Sequence, residues 1–144
     1  MNKIIAFDLG SRTLGIAISD ALGIAAHGLE NFRFNEGGYQ TAITHAIEVL
    51  KKENVNEVAV GLALNMNGSE SRSSKASTIF KDELLKRMPN LKIKMVDERM
   101  STMLATRRLL ESDISRAKRK KVIDMQSAVV ILETYMEMKK NGQI

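Results

Sequence analysis

Apolar residues fall along this chain in two rhythms, and the change of rhythm divides it into strands and helices. Residues 3–9 are almost continuously apolar through Ile4, Ile5, Ala6 and Phe7 and predict a buried strand, while 14–20 predict a second with partial alternation. The short glycine-bearing link between them predicts an antiparallel hairpin. A third strand is expected over about 25–34, where Leu29, Phe32 and Phe34 mix with polar residues, and Gly37-Gly38 ends it. From 39 to 53 the spacing becomes helical, with Ala42, Ile43, Ala46, Ile47, Val49 and Leu50 on one stripe. The apolar run 58–62 after that helix has the form of a strand buried on both faces in a parallel arrangement.

Residues 65–75, rich in Gly, Ser and Asn, read as a loop. A helix follows, with Ile79, Phe80, Leu84 and Leu85 inward, closed by the only proline, Pro89. A fifth strand is expected over 93–96. Ser101 or Thr102 can then cap a helix to about Ser112, with Leu104, Ala105 and Leu109 inward. Residues 112–120 lack apolar anchors and read as mobile; the final helix is expected over 121–139, where Val122, Met125, Val129, Leu132 and Met136 recur every three or four positions. The order of elements predicts an α/β fold, a mixed five-stranded sheet with three antiparallel strands followed by two parallel ones and helices on its faces.

Composition narrows the chemistry. The chain of 144 residues, 44% hydrophobic, fits one domain over 1–144. It shows no membrane-spanning run and no signal pattern, so a cytoplasmic protein is expected. Having no cysteine and two histidines, His27 and His45, it must hold any metal mainly through oxygen. His45, among Ala42, Ala46 and Val49, reads as an ordinary helix residue, and the nine methionines read mostly as core fillers. The net charge of +5 is uneven: residues 1–80 carry 7 basic and 8 acidic side chains, and 81–124 carry 13 and 7. Arg107, Arg108, Arg116, Lys118, Arg119, Lys120 and Lys121 concentrate the excess and suit a polyanion. A solvated basic helix end would look the same.

Three acids stand out. Asp8 closes an otherwise apolar strand, where a charge needs a partner such as a metal ion or phosphate. Glu98 follows the fifth strand. Asp124, in the expected first turn of the last helix, heads a row continued by Ala128, Ile131 and Tyr135, which should face the sheet. Taken singly, Glu98 could pair with Arg99, and Asp124 with Lys120 and Lys121. If the three meet, they form a hard oxygen cage suited to Mg²⁺ or Mn²⁺. Two such ions about 4 Å apart can activate water and stabilise the leaving oxygen in phosphodiester hydrolysis.

The segments Asp8-Leu9-Gly10-Ser11-Arg12-Thr13-Leu14-Gly15 with Ser19-Asp20, Val60 to Gly68, Val96-Asp97-Glu98-Arg99-Met100-Ser101-Thr102, and Lys120-Lys121-Val122-Ile123-Asp124 with Ala128 resemble the motifs of the YqgF-type family of bacterial pre-16S rRNA nucleases. That family was earlier described as Holliday junction resolvases. The resemblance spans nearly the whole chain. It implies a ribonuclease H-like fold, divalent metal and hydrolysis at Asp8, Glu98 and Asp124, and a substrate at the 5′ end of immature 16S ribosomal RNA. Two positions depart from the family pattern: Ala63 replaces a usual proline and Asn67 a usual aspartate. Asn65, Arg99, Ser101 and Thr102 lie in matching motifs and could orient water or phosphate, or simply cap loops and helices. Arg12 could contact phosphate or pair with Asp20.

Other readings remain open at this point. Strand-Asp-x-Gly-turn-strand also resembles the phosphate loop of the actin, heat-shock chaperone and sugar kinase superfamily, whose members need two such lobes where this chain provides one. A binding module would hold RNA through the basic segment with little hydrolysis and a salt-sensitive affinity. Four phenylalanines and two tyrosines make a dedicated base-stacking platform unexpected. Cleavage of branched DNA would use the same triad, and nothing in the sequence specifies an oligomeric state.

Overall fold

The computed structural model describes residues 3–97 and 116–143, the side chains of 116–125 excepted. Strand β1 (Ile4–Leu9) pairs antiparallel with β2 (Thr13–Ser19), which pairs antiparallel with β3 (Ala26–Arg33). Helix α1 (Tyr39–Glu53) carries the chain over to β4 (Glu57–Leu62), parallel to β1. Helix α2 (Arg72–Arg87) leads to β5 (Lys92–Asp97), parallel to β4, and α3 spans Arg116–Lys140. The strand order β3-β2-β1-β4-β5 makes the mixed sheet that the element order predicts.

Local chemistry sets the boundaries. Gly37 adopts a φ of 78°, and a side chain on Gly38 would bring its Cβ within 2.9 Å of the Asn35 carbonyl oxygen, so this glycine pair turns the chain into α1. Asn54, left-handed at φ 55°, caps the other end. Helix α2 begins at Arg72, inside the stretch expected to be loop, because Ser71 and Ser74 form a reciprocal capping box. Helix α3 is already formed at Arg116, five residues ahead of the apolar repeat and inside the segment expected to be mobile. Arg, Lys and Ala propagate a helix well without packing anchors. Asp124 therefore sits beyond the first turn, not within it. The helix expected over 101–112 lies outside the described residues.

The two faces of the sheet are built differently. On the face covered by α1 and α2, Phe7, Leu14, Ile16, Val58 and Val60 pack with Ile43, Leu50, Phe80 and Leu84, and Phe7 meets Phe80 edge to face at 5.5 Å. The opposite face presents Ala6, Ala17 and Ala59, a row of direct cross-strand neighbours, to Ala128, Ile131, Leu132 and Tyr135 of α3. The row predicted to follow Asp124 is thus buried as expected. Ile79 is 60% exposed, not inward, since α2 turns Ser74, Ser77, Phe80 and Leu84 to the sheet. Among the described methionines, Met88, Met95 and Met136 pack partly buried against the core margins, as expected of fillers, and Met66 alone is exposed. Unbranched side chains fill the uneven gaps where helix, sheet and solvent meet. No described helix is long and apolar enough to cross a membrane.

Candidate active site at one edge of the sheet

Strands β1, β4 and β5 are parallel, so their carboxyl ends share an edge, the place where open α/β sheets gather ligands. Asp8 is the penultimate residue of β1, Leu62 ends β4, and Asp97 ends β5. Side chains alternate along a strand, so Asp8 follows Ala6 onto the α3 face. Its neighbour across the β1–β2 ladder is Gly15, whose neighbour on β3 is Asn31. Directly paired residues share a face, so Asp8 and Asn31 flank a lane that Gly15 leaves clear. The Asn31 Oδ1 is buried and has no hydrogen-bond partner among the described residues. Periodicity gave no hint of Asn31, because its significance lies in the register of three strands.

Helix α3 runs against β1. Its distal part is fixed by Glu57 at the start of β4: Glu57 Oε2 accepts hydrogen bonds from Tyr135 Oη and Lys139 Nζ, each at 2.6 Å. Glu57 pairs in register with Ile4, at the start of β1. Stepping back along α3 from Tyr135 to residue 124 covers about 16 Å. Stepping along β1 from Ile4 to Asp8 covers about 13 Å. The backbone at 124 thus comes level with Asp8 to within about one helical turn. Helix α3, at about 37 Å, is also nearly twice as long as a six-residue strand, and its first turns, bearing Arg116, Lys118, Arg119, Lys120 and Lys121, extend past that edge.

Two further predicted residues lie at this edge, both with local partners. Arg12, at the tip of the β1–β2 hairpin, pairs with Glu36 at 3.0 Å, not with Asp20. The Asp20 carboxylate instead accepts the backbone N–H groups of Ile24 at 2.8 Å and Ala25 at 3.1 Å, bonds that hold its pKa below the ordinary value. Asn65 donates through Nδ2 to Ser69 Oγ at 3.0 Å and to the Glu70 carbonyl at 3.1 Å, and so organises the loop after β4. Both departures from the resembled pattern fit that loop. The Asn67 Oδ1 accepts from Ser69 N at 3.0 Å, and the Ala63 carbonyl accepts from the Ser71 hydroxyl.

Glu98, Arg99, Ser101, Thr102, Arg107 and Arg108 lie outside the described residues, as do the side chains of Asp124 and of Arg116, Lys118, Arg119, Lys120 and Lys121. Among the described residues no three histidine, aspartate or glutamate side chains form a metal-ligand group. Glu98 stands two positions after Val96, which packs against α3.

The sequence profile of a family described as RuvX, Holliday junction resolvase, matches residues 2–138. The chain belongs to the RuvX family. Proteins of Staphylococcus carnosus and Staphylococcus aureus, each bearing the name "Putative pre-16S rRNA nuclease", are 48% identical to this RuvX-family chain over 136 residues, 94% of its length and 96% of theirs. Thermus thermophilus RuvC in complex with Holliday junction substrate matches with a TM-score of 0.65 at 12% identity, over 99% of this chain and 97% of that one. The yeast mitochondrial Holliday junction resolvase Ydc2 matches at 0.58 and 10% identity, over 99% and 80%. The RuvX chain therefore has the ribonuclease H-like fold of these resolvases.

Proposed function

We propose that this RuvX-family nuclease hydrolyses phosphodiester bonds of precursor 16S ribosomal RNA near its 5′ end in the cytoplasm, with Asp8, Glu98 and Asp124 holding divalent metal. The observation that carries the reading is the setting of Asp8: a half-buried carboxylate at the carboxyl end of the central strand, beside a glycine-cleared lane and level with residue 124 of an antiparallel helix. Oxygen donors without thiolate or imidazole suit Mg²⁺ or Mn²⁺. A pair of such ions would supply an activated water and neutralise charge on the leaving oxygen.

The chain's own groups have distinct tasks in this proposal. Asp8, fixed by the sheet, sets the height of the site. Arg116, Lys118, Arg119, Lys120 and Lys121 on the protruding turns of α3, with Arg107 and Arg108, hold phosphates without reading sequence. Arg12 adds a phosphate contact by exchanging its exposed Glu36 partner for the substrate. Arg99, Ser101 and Thr102 orient phosphate or water in the same cleft, and Asn65 shapes its wall from the loop after β4.

Cleavage of labelled precursor RNA and of a synthetic four-way DNA junction, each with and without Mn²⁺, by wild type and Asp8→Asn, tests the reading. The expected result is Mn²⁺-dependent RNA cleavage by the wild type that Asp8→Asn loses by about a thousandfold, the order expected when a metal ligand is neutralised. Equal cleavage by both proteins rejects the metal mechanism. Cutting of the junction alone moves the substrate to branched DNA, and salt-sensitive binding without cutting makes the chain a binding module.

A further inference from the structure

The β2–β3 turn carries apolar side chains that the core leaves outside. Leu22 is 63% exposed and Ile24 76%, and with Leu29 on β3 this one hairpin holds three of the five exposed large hydrophobic side chains among the described residues. Single apolar residues are ordinary at a surface, but a cluster marks a contact site. The turn that presents them is fixed. The Asp20 carboxylate accepts hydrogen bonds from the N–H groups of Ile24 and Ala25, and the Asp20 carbonyl accepts one from the Gly23 N–H at 3.1 Å. Side chains held in place before contact lose less freedom on docking.

Between this turn and the last turns of α3 lies an open groove of about 1160 Å³, larger than one small ligand needs. Ile4, Ile24, Ala25, Ala26 and Met136 give it an apolar lining. Its α3 wall is charged in order. Glu133, Glu137 and Lys140 all line the groove and recur at helical spacing, so they form one stripe that reads acid, acid, base. All three are exposed. Glu133 and Lys140 stand two helical turns apart, on either side of Met136. When two copies of the stripe run antiparallel, each Glu133 comes opposite a Lys140, around an apolar centre. A surface that complements itself in this way suits a two-fold pair, in which the same patch meets itself.

We propose that this groove is the interface of a homodimer, in which the α3 stripes of two copies lie antiparallel and Leu22 and Ile24 of each copy close over Met136 of the other. The occupant is a second copy because neither an acidic nor a basic partner complements both ends of the stripe, whereas the stripe reversed does. The groove lies at the amino ends of β1 and β4, where Ile4 and Glu57 begin the strands. Asp8 stands about 13 Å farther along β1, at the opposite edge. The two candidate active sites therefore lie away from the shared interface, and each stays open to substrate.

Sedimentation of the full chain over a range of concentrations tests the interface, with circular dichroism showing that each variant is folded. The wild type should form a reversible dimer. Ile24→Asp, at an exposed turn position that leaves the core intact, should raise the dissociation constant by at least about tenfold, the loss of one buried aliphatic side chain. Glu133→Lys and Lys140→Glu should each weaken pairing by about tenfold or more, since either change sets like charges opposite one another. Mixed in equal amounts, these two variants should pair again, because the acids of one meet the bases of the other. A chain carrying both changes should dimerise with itself. A wild type that stays monomeric at every concentration, a dimer indifferent to Ile24→Asp, or a mixture that pairs no better than either charge variant alone overturns the interface. Cleavage with Mn²⁺, read separately, bears on the nuclease reading and leaves the dimer untouched.

Discussion

The two faces of this sheet use apolar side chains for different purposes. The α1–α2 face is filled with Phe7, Leu14, Ile16, Phe80 and Leu84, large groups that fill the space between helices and sheet. The α3 face is paved with Ala6, Ala17 and Ala59, which bury little but let a helix approach closely. The first face mainly contributes stability. The second contributes placement, because a helix lying close to β1 brings its own residues near a carboxylate at the strand's end. The difference explains why a fold can be robust on one side and sensitive to a single methylene on the other.

The largest effect should come from breaking the first face. Phe80→Ala is expected to cost about 3–5 kcal/mol in chemical or thermal unfolding while leaving the cleavage rate per folded molecule unchanged. Loss of that rate at full folding would erase the distinction between the faces. Ala6→Leu, on the second face, is expected to cost about 1–3 kcal/mol through overpacking but to lower cleavage by more than tenfold in molecules that remain folded. Denaturant curves paired with rates at matched folded fraction separate the two.

The distal anchor of α3 comes next. Burial opposes ionisation of Glu57, but the hydrogen bonds from Lys139 and Tyr135 outweigh it and hold its pKa below the ordinary 4.5. Burial and the same carboxylate push the Tyr135 hydroxyl up, so it remains a donor at every working pH. Tyr135→Phe should cost about 1–2 kcal/mol, measured by unfolding at neutral pH, since a hydrogen bond to a charged acceptor is lost. Because the folded pKa of Glu57 is depressed, its contribution is complete above 4.5 and drains away as pH falls through the lower folded value. Glu57→Gln should therefore flatten the acid limb of the stability curve in that range, and an unchanged limb would remove Glu57 from the anchor. Arg12→Ala, which breaks an exposed pair, should change stability by less than about 0.5 kcal/mol while weakening RNA binding at low salt.

Much of this architecture could be read in advance. The strands at 4–9, 13–19 and 57–62 and the helix at 39–53 lie where periodicity puts them, because burial on one or both faces imposes a period that depends only on near neighbours along the chain. The errors fell where packing was not the cause. Arg116 to Lys120 are helical although they carry no apolar repeat, and α2 starts early because two serines cap it. The polar features resisted prediction more strongly. Glu57 finds Tyr135 across 78 positions of sequence, and Arg12 chose Glu36 over Asp20. His45 lies in α1, where periodicity puts it, yet its stacking on Phe32 depends on how β3 sits beside α1.

By itself the sequence determined the alternation of elements, the buried rows, the placing of Asp8 at the end of an apolar strand and the family motifs around it. Only the tertiary structure decided that Asp8, Gly15 and Asn31 form one row, that α3 runs against β1 over a floor of alanines, and that the β2–β3 turn faces the end of α3 across a groove. The physical reason is range. Hydrophobic periods are set by residues a few positions apart, whereas these pairings arise from strand register and helix direction, which are fixed only when distant segments compete for the same buried surface.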